Sequence, residues 1–68
     1  MDRTVRVMTG QLRTAQEALD VAQEALTAAV RVRDAAIRSA RAEGMPAASI
    51  ADVLGVDRQV VYRILKRA

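Results

Sequence analysis

The sequence predicts an all-α chain in which one long N-terminal coiled-coil helix runs into a C-terminal tri-helical module. Three observations predict it. From Gln11 to Glu43 there is neither Gly nor Pro. Apolar residues in the first half recur at alternating spacings of three and four. Two breaks, Gly44-Met45-Pro46 and Gly55-Val56-Asp57, then cut the last third into short amphipathic pieces. Residues 1–29 are read as a dimerisation helix and 30–68 as the module, the long helix continuing to about residue 43.

The uninterrupted stretch is filled with Ala, Leu, Arg, Gln and Glu, which lose little side-chain entropy on becoming helical. Three starts are open. The helix begins at Asp2 or Thr4, with Gly10 an internal soft spot costing about 1 kcal/mol relative to Ala, or at Thr9 acting as N-cap.

Val5, Leu12, Leu19 and Leu26 occupy one heptad row, and Met8, Ala15, Ala22 and Ala29 the other. One row is large and the other small. A parallel pair would stack Leu on Leu and then Ala on Ala, whereas an antiparallel pair sets Leu against Ala and keeps the helix spacing even. An antiparallel homodimer is therefore the favoured partner arrangement. Ala18, Ala25 and Val32, with Val21, Ala28 and Ala35 beyond them, widen the apolar face, which leaves a higher oligomer open. After Leu26 a strict heptad puts Arg33 in the seam, while the apolar pattern moves to Val30 and Ile37, a stutter that reads as a change of partner from the twin helix to the chain's own C-terminal helices.

Composition bounds what such a chain does. At 68 residues only about 60 % of the unfolded surface is buried, so a marginal core needs a staple. With no Cys and no His, neither a disulfide nor a zinc cluster supplies it, which leaves self-association. The same absences, with no glycine-rich phosphate loop and no room for a substrate cavity, argue against an enzyme and predict no cofactor, no metal and no small-molecule ligand. No apolar run approaches the roughly 20 residues of a membrane span, and the first residues lack the apolar core of a secretory signal, so a cytoplasmic protein is expected. The net charge of +3 is unevenly spread: residues 1–29 carry three bases against four acids, and residues 30–68 eight against four. A basic module on a neutral rod is the distribution of a chain that meets a polyanion at one end and itself at the other.

Within the module, Gly44 suits a left-handed helix stop and Pro46 can open a helix over about 47–54. Gly55 allows a second left-handed turn, and Asp57 is the cap of a last helix to about Arg67. Ile50, Ala51, Leu54, Val56, Val61, Ile64 and Leu65 are expected to interlock with Ala36, Ile37 and Ala40 of the long helix. Two short helices joined by a glycine-containing turn are the signature of a helix-turn-helix.

The run from Ala42 to Leu65 resembles the helix-turn-helix of bacterial and phage regulators, and most of all the DNA-binding tails of serine recombinases and resolvases. The likeness rests on the small Ala51, the turn Gly55, the apolar Val56 and the Val61-Tyr62-Arg63 run, and covers about the last 30 residues. Two departures stand out: Pro46 and Ser49 replace the two members of the capping box common in the family, and nothing upstream resembles a recombinase catalytic domain. The resemblance implies binding of double-stranded DNA, with the last helix in the major groove, and gives no support for strand cleavage.

It implies base contacts from Arg58, Gln59, Tyr62 and Arg63, since Arg pairs bidentately with guanine and Gln with adenine. Ser49, Lys66 and Arg67 are the expected phosphate contacts. Each has a plainer reading. Arg58 and Gln59 serve equally as solvated first-turn residues, Tyr62 as a ring packed on the module, and Lys66 and Arg67 as complements of the helix dipole. Arg31, Arg38 and Arg41 read as the solvated face of the long helix, and Asp57 as a structural cap. The expected function is a dimeric, sequence-specific transcriptional regulator; an architectural DNA binder of low specificity and a coiled-coil adaptor whose helix-turn-helix binds protein are the alternatives.

Overall fold

The long helix begins at the earliest of the three starts. In a computed structural model, which describes residues 2–67, α1 runs from Arg3 to Ala42, α2 from Ala47 to Leu54 and α3 from Arg58 to Lys66, with no strand among the described residues. Asp2 caps α1: its carboxylate accepts from the Thr4 N–H at 3.1 Å. Gly10 is carried inside α1 without a break, and strong helix formers follow it from Gln11 onward. The molecule is elongated, 63 × 18 × 17 Å, close to the length of about 60 Å that 40 helical residues dictate. No helix among the described residues is long and apolar enough to cross a membrane.

The two glycines close their helices in the same way. After α1, Gly44 takes φ +98°, its N–H donates to the Arg41 carbonyl at 3.0 Å, and the Met45 N–H reaches back to the Ala40 carbonyl at 3.0 Å. After α2, Gly55 takes φ +71°, its N–H donates to Asp52, and Val56 reaches back to Ala51 at 3.1 Å. Both pairs satisfy carbonyls that a helix end would otherwise leave open, and both need a left-handed residue. A Cβ built on Gly55 meets nothing within 4 Å, so the cost of adding one is purely conformational. Gly55→Ala is expected to lose about 1 kcal/mol, or roughly 4–8 °C in Tm for a chain of this size. An unchanged thermal midpoint would mean that the left-handed turn is not retained in solution.

Pro46 sits one residue earlier than a helix-opening proline: it is the N-cap of α2, with ψ 146° and no side chain able to cap. Asp57, by contrast, caps α3 by accepting from the Gln59 N–H at 2.8 Å.

The core is small and lies at one end of the rod. Ile37 of α1, Ala47, Ile50 and Ala51 of α2, and Val61 and Ile64 of α3 are buried, with Ala40, Met45, Val60 and Leu65 packed against them. Ala51 and Ala47 allow α2 to lie close to its neighbours. Three expected core members are not in it: Ala36, Leu54 and Val56 are exposed. The reason is geometric. Ile37 and Ile50 fill the centre where α1 meets α2, which leaves Ala36 and Leu54 on the rim.

Asp34 is the one charged residue buried among those described. Its Oδ1 accepts from the Nε and Nη2 of Arg33 at 3.2 and 3.1 Å, so the carboxylate does not enter the protein interior unpaired. Every residue from 2 to 29 is exposed, including the whole Leu/Ala seam. The rod thus leaves the module as a bare helix with its apolar face to solvent.

Candidate nucleic-acid interface

α3 presents its two faces to different surroundings because of where its apolar residues fall. Val61 and Ile64 are fully buried and anchor the helix to α1 and α2. Gln59, Tyr62, Arg63 and Lys66 form an i, i+3, i+4, i+7 stripe on the opposite side, and all four are exposed. Arg58 is exposed too but lies at the edge of this stripe, on the side of Leu65. Of the set expected to meet base edges, Gln59, Tyr62 and Arg63 are therefore brought together on one surface, with Arg58 beside it rather than on it. Lys66, expected on phosphate, stands on the same stripe at its far end.

Tyr62 is 48 % exposed, intermediate between the two roles open to it: neither a ring packed away on the module nor one standing free. Ser49 is half-buried at the third position of α2. Because Pro46 offers no cap, the first backbone N–H groups of α2 lack a side-chain acceptor. A missing capping box thus leaves backbone donors at the positive end of a helix dipole without a side-chain partner, an arrangement that suits an anionic oxygen.

Sequence reasoning missed the part of Arg38. It reads there as a solvated residue of the rod, but its Nη2 donates to the Arg67 carbonyl at 2.7 Å and to the Ile64 carbonyl at 3.4 Å. The side chain reaches from α1 across to the C-terminus of α3, where it satisfies the Arg67 carbonyl and adds a second donor to the Ile64 carbonyl, which also accepts from the Arg67 N–H. These partners lie 26 and 29 residues away, so no local pattern signals them. Arg67 is held by its backbone there, leaving its exposed side chain free to point outward. Arg38→Ala is expected to loosen the last turn of α3, with amides of residues 65–67 exchanging roughly five-fold faster, about 1 kcal/mol after allowance for solvent. Unchanged protection would assign the bond no role in holding the helix end.

A family model for the homeodomain-like domain matches residues 25–68, well over half of the chain. The chain belongs to the homeodomain-like helix-turn-helix family. Neither the curated proteins nor the solved structures contain a match to it. In this homeodomain-like module the last part of α1 serves as the first helix of the three, α2 as the second and α3 as the third. The fold and the family together make the C-terminal part a DNA-binding domain. The narrower likeness to recombinase tails gains no support from these comparisons. The match begins at Ala25, inside the rod, so most of the Leu/Ala seam is an extension on the N-terminal side of the homeodomain-like module.

Proposed function

We propose that the chain is a dimeric, sequence-specific binder of double-stranded DNA acting in transcriptional regulation, with α3 in the major groove. The exposed stripe of α3 carries the reading: a short helix, anchored by two fully buried residues, offers Gln and Arg side chains that hydrogen-bond base edges. Arg58, Gln59, Tyr62 and Arg63 are assigned to bases. Ser49 with the open amides of α2, and Lys66 and Arg67 at the end of α3, are assigned to phosphates. The proposal needs no catalytic residue and no cofactor.

Dimerisation is the second half of the proposal. The described chain exposes 5589 Å², whereas a compact monomer of 7.4 kDa exposes about 4,200 Å². The excess, about 1,400 Å², exceeds the roughly 800 Å² per partner of a standard interface. An antiparallel pairing through Val5, Met8, Leu12, Ala15, Leu19, Ala22, Leu26 and Ala29 covers the seam and places the two modules toward opposite ends of the rod. They then lie farther apart than one turn of DNA, about 34–36 Å, so widely spaced half-sites are expected.

Substitution in the stripe tests the reading. Arg58→Ala and Gln59→Ala are expected to cost about 1–3 kcal/mol on the preferred duplex and much less on random duplex. Lys66→Ala is expected to weaken both equally and to reduce the salt slope of log K by about one. Equal binding of preferred and random duplex by the unmodified chain would instead favour an architectural role. The exposed alanines of α1 outside the seam, such as Ala18 and Ala25, give that second reading its basis, since they offer a surface for higher assembly.

A further inference from the structure

The Leu/Ala seam does not stop where α1 meets the module. Continuing its heptad beyond Ala29 gives Ala36 in the small row and Arg33 and Ala40 in the large one. These same three residues line an open apolar groove of about 310 Å³ between α1 and α2, whose other walls include Met45, Val53 and Leu54. The stutter at Val30 and Ile37 turns one face of α1 toward its own core, while the original heptad face runs on into the groove. No residue of α3 lines it, so the groove is separate from the DNA-facing stripe.

Arg33 is the one charged residue in that continuation, and its charge is already met. Its guanidinium is held by Asp34 at 3.1 Å, which leaves the aliphatic stem as groove wall. Val53 is 76 % exposed in the single chain and stands beside the 38 %-exposed Leu54 on the α2 wall of the groove.

We propose that this groove is the seat of the N-terminal end of α1 from a second copy, and that it sets the register of the dimer. The inference rests on the antiparallel dimer proposed above. In the register that uses the groove, Val5 of one chain faces Ala36 of the other, Met8 faces Arg33, and Leu12, Leu19 and Leu26 face Ala29, Ala22 and Ala15. Every leucine meets an alanine, all eight seam residues are paired, and Val5 and Met8 cover Val53 and Leu54. Sliding the partner seven residues one way sets Val5 on Ala29, forces Leu26 against Met8 and leaves the groove open. Sliding it the other way sets Leu12 on Ala36 and carries Val5 beyond the end of α1.

The chain has no cysteine, so paired cysteines report the register without background. Adjacent registers differ by about 10 Å along the axis, more than a disulfide spans. Three double variants are compared under mild oxidation: Val5→Cys with Ala36→Cys, Val5→Cys with Ala29→Cys, and Leu12→Cys with Ala36→Cys. All four positions are exposed in the single chain, so each variant retains the fold. The expected result is covalent dimer from the first pair alone. Capture of either other pair in its place overturns the register and leaves the antiparallel dimer standing; a mass of two chains with no pair captured overturns the register and leaves only the dimer. Covalent dimer from Val5→Cys alone indicates a parallel coil and overturns both. A chain that stays monomeric by light scattering also removes the reading beneath the proposal. Independently, Val53→Glu is expected to raise the dimer dissociation constant at least ten-fold while leaving the module's core signal unchanged; an unaltered constant contradicts the seating.

Discussion

Leu19→Asp is expected to separate the proposed dimer and to melt most of the rod. In an antiparallel pair Leu19 faces an alanine near the middle of the seam, and each dimer carries the substitution twice. Setting an unpaired carboxylate in an apolar seam costs about 3–5 kcal/mol per site, so the dissociation constant should rise by at least about 10³. The consequence reaches beyond assembly. Residues 3–29 make up nearly half of the helical residues and are exposed throughout in a single chain. A helix with no packed face is marginal in water even when rich in alanine, so ellipticity at 222 nm should fall by roughly a third along with the mass. A variant that is monomeric by light scattering yet keeps its full helical signal would contradict the claim that the rod needs its twin.

Ile64→Ala is expected to abolish DNA binding without altering any side chain on the exposed stripe of α3. Ile64 is 1 % exposed, and with Val61 it is what fastens α3 to the other two helices. Truncating a buried Ile costs about 2–5 kcal/mol. A core of six buried residues has little more than that to lose, because a unit this small sits near the limit of independent stability. Ile64→Val, at about 0.5–1.5 kcal/mol, should retain most binding. The check is duplex affinity beside thermal unfolding: loss of binding by Ile64→Ala with an unchanged melting curve would mean that Ile64 acts otherwise than through the core.

What the sequence made legible follows from how local each cause is. Helix ends beyond the start of α1 were readable because their determinants are residues at the ends themselves: Asp57 as a cap, Gly44 and Gly55 as left-handed stops. The exposed stripe of α3 was readable as the complement of Val61 and Ile64, since helical periodicity fixes one face once the other is known. The choice among starts for α1 was not, because Gly10 inside a helix costs little more than the favourable residues around it return. Leu54, Val56 and Ala36 were misplaced in the core because apolarity marks what can be buried, not what has a neighbour to bury it. Leu54 and Ala36 line the groove instead. The burial of Asp34 and the reach of Arg38 to the end of α3 depend on how α1 crosses the other helices, which no window of sequence contains.

The proposed function joins a homeodomain-like module, whose α3 stripe is proposed to read base pairs, to a rod proposed to pair two such modules at a fixed distance. Selection of bound sequences from a random duplex pool, with the mass of the recovered complex determined in parallel, tests that proposal most directly. The account predicts an enriched motif with two related half-sites, set farther apart than one helical turn and bound by two chains. Recovery of the random pool without enrichment, or no binding even at low salt, would contradict it.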